Sequence, residues 1–116
     1  MFGLRDTDIT EIKEILERFP EVESARIFGS RAKGNYKNGS DVDIALFGKN
    51  INFNIVLDIS SILNEESSMP YYFDVLDYKS IENKDLVHHI DRIGQLFFKN
   101  DNAIKRDWIN ADKKHF

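Results

Sequence analysis

Three short apolar runs, residues 24–28, 41–47 and 71–76, alternate along the chain with segments whose apolar residues recur at helical spacing. Strand-like and helix-like periods in strict succession confine the chain to a small mixed β-sheet flanked by helices, an α/β (α+β) sandwich. A first helix is expected over residues 8–19. There Ile9, Ile12, Ile15, Leu16 and Phe19 share a face, Asp8 offers an N-cap with Glu11 three residues on, and Pro20 stops the helix. Residues 24–28 set Ala25 and Ile27 against Arg26 and Phe28 and run into Gly29, as a strand ending in a tight turn does. Residues 41–47 place Asp41, Asp43, Ala45 and Phe47 on one face and Val42, Ile44 and Leu46 on the other. A second helix is expected over residues 53–64, with Ile55, Val56, Ile59, Ile62 and Leu63 as its buried stripe. Pro70 precedes the third strand, and Ser80 is expected to cap a last helix carrying Ile81, Leu86, Ile90, Ile93, Leu96 and Phe97. The helices are expected to cover one face of a three- or four-stranded sheet.

A chain of 116 residues has room for one core, so residues 1–100 are read as a single domain and residues 101–116 as a tail or short helix. Asp101, Asp107 and Asp112 in that tail read as solvated, and Trp108, if exposed, as part of a contact surface. The net charge of −4 argues against direct nucleic-acid binding, which relies on neutralising phosphates with Lys and Arg. Without cysteine there is neither a disulfide framework nor a thiolate metal site. The opening residues lack the apolar run of a signal peptide and no stretch has the length of a membrane span, so a cytoplasmic protein is expected.

The chemistry concentrates in GSRAKGNYKNGSDVDIAL, residues 29–46. Asp41 and Asp43 leave the same face of a strand about 7 Å apart, where their charges repel unless a cation sits between them. Carboxylate oxygens suit a hard ion such as Mg²⁺, which takes one or two carboxylates plus substrate phosphates. Asp74, among Tyr72, Phe73, Val75 and Leu76, is the expected third carboxylate, since an unpaired charge amid apolar neighbours is costly. Asp77 competes for that role but falls on the opposite face of an unbroken strand. Gly29 and Ser30 offer backbone N–H groups and a hydroxyl to an anion, with Arg31 and Lys33 beside them as phosphate partners. Taken singly, Asp41 reads as a turn residue, Asp43 as a solvated strand residue and Gly-Ser as an ordinary turn; their coupling is what carries weight.

Gly29-Ser30, ten intervening residues and then Asp41-Val42-Asp43 resemble the signature of the DNA polymerase beta-like nucleotidyltransferase superfamily. GSRAKG followed by SDVDIAL resembles its minimal nucleotidyltransferase (MNT) branch. The resemblance implies a polymerase-beta-like nucleotidyltransferase fold and transfer of a nucleoside monophosphate, AMP from ATP, to a hydroxyl with release of pyrophosphate. It also implies that Asp41 and Asp43 hold two Mg²⁺ ions, that Asp74 joins the ion activating the hydroxyl, and that Gly29 and Ser30 hold the β- and γ-phosphates. Lys33 departs from the Arg often found in this turn and loses its bidentate fork. Larger members carry further domains for the acceptor, which this chain is too short to contain. Minimal members are often encoded beside an all-helical HEPN-type partner in toxin–antitoxin systems, where the nucleotidyltransferase serves as antitoxin and adds AMP to a tyrosine of the partner.

Two other functions fit the same residues: nucleotidyl transfer to a small molecule such as an aminoglycoside, and a non-catalytic module that only binds nucleotide or partner. His88 and His89, adjacent on a helix, point about 100° apart and read as surface or partner-facing groups rather than ligands of one metal. Tyr71, Tyr72 and Phe73 read as strand packing rather than a base-stacking platform.

Overall fold

The clean alternation of residues 24–28 and 42–47 produces the two central strands of the sheet. The computed structural model describes residues 1–101; the sequence expectations at Ile104, Asp107, Trp108, Ile109, Asp112 and Phe116 lie outside them. Strand β1 (Ser24–Phe28) pairs antiparallel with β2 (Val42–Phe47), and β2 pairs in parallel with β3 (Phe73–Asp77). A fourth strand, β4 (Gln95–Lys99), closes the order β3-β2-β1-β4. The parallel step from β2 to β3 needs a crossover, which helix α3 (Phe53–Ser61) supplies.

Helix α1 (Asp6–Glu17) begins earlier than its periodicity implied. Asp8 is not its N-cap: it stands one turn in and reaches back to the Arg5 N–H at 3.1 Å and to the Arg5 guanidinium at 3.0 Å. The reason is burial, since Asp8 is 2% exposed and also accepts from the Tyr71 hydroxyl at 3.0 Å. Helix α1 and α3 cover one face of the sheet, where Ile12, Leu16 and Ile59 meet Ala25, Ile27, Val42, Ile44, Leu46 and Phe73. Each such side chain removed from water contributes about 1.5–3 kcal/mol for the larger aliphatics and Phe.

Two expectations for the C-terminal half fail. Leu96 and Phe97 belong to β4 and not to a helix, because Gly94 follows the last helical residue and turns the backbone to φ −57°, ψ 135°. The helix itself, α4 (Lys84–Ile93), is capped by Asn83, whose side chain accepts from Asp85 N–H at 2.9 Å. Ser80 closes a single tight turn, Tyr78–Ser80, and donates to Asp77 Oδ2 at 2.9 Å. Nor do the helices share one face. Ile90 of α4 packs on Phe28 and Ala45, whose side chains leave the sheet opposite to Ile27 and Ile44. Helix α4 thus covers only part of the second face, and the row carrying Asp43 and Asp74 belongs to that face.

Helix α3 runs on through a wider turn, Ile62–Glu66, that carries Asn64 to the start of β3. Asn64 Oδ1 accepts from Phe73 N–H at 2.7 Å and its amide donates to Phe73 C=O at 2.9 Å. Asn64→Ala is expected to cost about 2 kcal/mol, lowering the thermal midpoint by roughly 8–15 °C. Asn64→Asp, which retains only the acceptor, should fall between the two in the same melt.

Candidate active site

Three consecutive strands meet in one row at the second face. Phe28, the last residue of β1, lies opposite Asp43, and Asp43 lies opposite Asp74. Adjacent strands lie about 4.8 Å apart, so the two carboxylates leave neighbouring strands side by side. Asp41 precedes β2 by one residue and is exposed, as is Asp74, while Asp43 is partly buried between them. Burial, then the charges of Asp74 and Asp41, push the Asp43 carboxyl up to about 6, with Arg31 opposing the rise.

Gly29 follows Phe28 with φ +72°, the left-handed region that favours glycine. A Cβ at this position would run into Asp43 Oδ2, so the turn lies directly against the carboxylate. The short helix α2 (Gly29–Lys33) then carries Ser30, partly exposed, and Lys33, exposed, beyond the turn.

Arg31 does not join them. It is 3% exposed and its guanidinium points into the loop that leads to Asp41. Nη1 donates to Phe2 C=O at 2.9 Å, Nη2 to Ser40 C=O at 2.7 Å, and Nε to Ser40 and Asp41 C=O at 3.1 and 3.3 Å. The rings of Tyr36 and Tyr71 flank it at 5.3 and 5.0 Å. Buried, and with three of its five N–H donors on backbone carbonyls, Arg31 holds the Asp41 loop rather than facing solvent. Tyr71 accordingly packs on Arg31, whereas Tyr72 is 60% exposed.

Asp77 is on the other side of β3 from Asp74. Its Oδ2 accepts from Lys79 Nζ at 2.7 Å and from Ser80, and so tethers the tight turn after the strand. The pair of histidines divides: His88 is exposed, but His89 Nε2 accepts the Gly29 N–H at 3.0 Å. Sequence reasoning treated the two as equivalent and missed this. The signal was present, because His89 falls three residues after Leu86 and beside Ile90 on the inward stripe of α4.

The donor set here is all oxygen, and the burial and mutual repulsion that raise Asp43 are what a divalent cation would offset, so the residues fit a hard metal. Among the described residues no three acidic or imidazole groups already converge as a ready-made cage. An ion would therefore depend on oxygens brought by a ligand, as Mg²⁺ commonly does.

A small mixed sheet that sets a Gly-Ser turn against paired strand carboxylates is the architecture of a nucleotidyltransferase domain. The chain belongs to the polymerase beta nucleotidyltransferase family, whose model, "Polymerase beta, Nucleotidyltransferase", matches residues 10–103. No curated protein matches the chain in sequence. Among solved structures, a toxin–antitoxin structure with AMP-PNP is similar at 18% identity and TM-score 0.65, over 97% of this chain and 91% of that one. The toxin–antitoxin MntA–HepT structure is similar at 16% identity and TM-score 0.63, over 96% and 91% of the two chains. These similarities establish the polymerase-beta-like fold. No helix of the described residues is long and apolar enough to cross a membrane.

Proposed function

We propose that this nucleotidyltransferase moves AMP from ATP to a tyrosine of a separately encoded all-helical HEPN-type partner, acting as an antitoxin. The observation that carries the reading is the row Phe28, Asp43, Asp74, with the Gly29 turn set against Asp43. In the transfer, the tyrosine oxygen forms a bond to the α-phosphorus, the α–β phosphoanhydride bond breaks, pyrophosphate leaves, and the hydroxyl proton passes to solvent. Asp41, Asp43 and Asp74 would hold Mg²⁺, two ions in all; when bound, these lower the pKa of the hydroxyl and neutralise the departing pyrophosphate.

The remaining work belongs to the chain. Ser30 and Lys33 stand on the solvent side of the turn, where the hydroxyl and ammonium can meet the β- and γ-phosphates. Asp74 is exposed on β3, an edge strand, so an acceptor can approach it from that edge of the sheet. Similarity to toxin–antitoxin structures, one holding AMP-PNP, supports both nucleotide and partner.

Intact-mass analysis of the partner after incubation with the chain, Mg²⁺ and ATP tests the reading. One or more added AMP masses are expected with the parent and none with Asp41→Asn/Asp43→Asn. An unmodified partner in an intact complex would instead favour inhibition by binding or a small-molecule acceptor.

A further inference from the structure

The Gly29 amide is the group a phosphate-binding turn would be expected to offer, yet it is already engaged. His89 reaches it from 60 residues further along the chain, Nε2 standing 3.0 Å from the Gly29 nitrogen. We propose that His89 is a positioning residue, its Nε2 taking the Gly29 N–H and fixing the glycine turn, so that Ser30 and Lys33 meet the nucleotide in place of the Gly29 amide.

Three observations carry this. First, the imidazole is held in place: the Phe28 and His89 rings meet edge to face, with centroids 6.1 Å apart and planes at 77°, and the next residue, Ile90, is fully buried against Phe28 and Ala45. Second, an N–H donor requires an unprotonated Nε2, so the proton of the neutral ring resides on Nδ1. Burial, with Lys33 on α2 and Arg92 on α4 nearby, lowers the pKa of His89 and favours that neutral form. Third, Gly29 is confined from two sides, by His89 at its amide and by Asp43 at its α-carbon. A turn released from His89 could swing away from the carboxylate, and the spacing between Ser30 and Asp43 would be lost. The assignment of Ser30 and Lys33 rests on the nucleotidyl-transfer reading; the latch between His89 and Gly29 does not.

The test uses the full ¹⁵N-labelled chain and the variants His89→Gln, which retains an acceptor near the Nε2 position, and His89→Phe, which retains a ring without one. Amide exchange at Gly29 is expected to be slow in the parent and in His89→Gln and at least about 10-fold faster in His89→Phe. Titration with Mg²⁺ and AMP-PNP should show about 10-fold weaker binding by His89→Phe and no more than about 3-fold weakening by His89→Gln. A purely structural role would weaken both variants alike and would follow their melting temperatures. Slow Gly29 exchange in His89→Phe, or failure of His89→Gln to restore binding, overturns the proposal. If His89→Phe does not fold, the imidazole ¹⁵N shifts of the parent decide: a protonated Nε2 overturns the latch and a protonated Nδ1 sustains it. Should the parent itself fail to bind AMP-PNP, the nucleotidyl-transfer reading fails, and Gly29 exchange alone judges the latch.

Discussion

Asp43→Asn is expected to melt about 3–8 °C above the parent at pH 7.5 in EDTA while transferring nucleotide at least about 10³-fold more slowly. The gain follows from the raised carboxyl of Asp43. A rise from the ordinary 3.8 to about 6 corresponds to roughly 3 kcal/mol at 1.36 kcal/mol per pH unit. Solvent screening of a partly exposed group reduces this to about 1 kcal/mol. The sign is fixed by linkage: between pH 3.8 and about 6 the folded carboxyl retains a proton that the unfolded one releases, so stability falls as pH rises through that window. Above it the penalty is complete, and below it parent and variant should melt together. The amide has no charge to desolvate or to set against Asp74 and Asp41, so it escapes the penalty and equally loses the donor that an ion needs. Thermal melts from pH 3.5 to 8 check the first half; transfer assays with Mg²⁺ and ATP check the second. Equal melting at pH 7.5 would show that Asp43 carries neither the burial penalty nor the repulsion its surroundings imply.

Arg31→Met should cost about 3–5 kcal/mol, a large share of the roughly 5–15 kcal/mol that holds a domain of this size. Met can follow the aliphatic stem but satisfies none of the carbonyls of Phe2, Ser40 and Asp41, and an unpaired buried polar group costs about 1–3 kcal/mol. Arg31→Lys tests geometry against charge. One ammonium cannot span carbonyls that approach the guanidinium from two directions, so Lys should recover less than half of the loss. Urea unfolding gives the stability of both variants, and titration with Mg²⁺ and AMP-PNP reads the separate effect on the site. Because the Asp41 loop hangs on these bonds, weaker binding is expected from both, including under conditions where the variants remain folded. Recovery of full stability by Lys would mean that charge, not the forked geometry, holds the loop.

Much of the central sheet is legible in sequence because its two innermost strands are short and alternate between a fully covered face and a partly covered one. Period-two alternation puts Val42, Ile44 and Leu46 under α1 and α3 and leaves Asp43 and Ala45 on the other face. The same parity separates Asp74 from Asp77, whose carboxylate ties down Lys79 and Ser80. The fourth strand was hidden by coincidence: Ile90, Ile93, Leu96 and Phe97 keep helical spacing across Gly94, and only the glycine marks the change. Arg31 misled for a different reason. A basic residue beside a Gly-Ser turn has the same sequence appearance whether it faces a phosphate or three carbonyls, and the difference lies in a loop folding back over it. His89 depended on a long-range hydrogen bond that no local pattern encodes, although its place on the inward stripe of α4 excluded a purely solvated role.

The two register-paired carboxylates stand on strands of unequal security. Asp43 belongs to β2, hydrogen-bonded on both sides, whereas Asp74 belongs to β3, which has a strand on one side only and relies on α3 and Asn64 for the rest. Fluctuations that detach β3 need not disturb β1 and β2, so the population with a complete acidic pair can fall while the chain as a whole remains folded. Substitutions on α3, far from any phosphate, can then tune activity by changing how often Asp74 is in place.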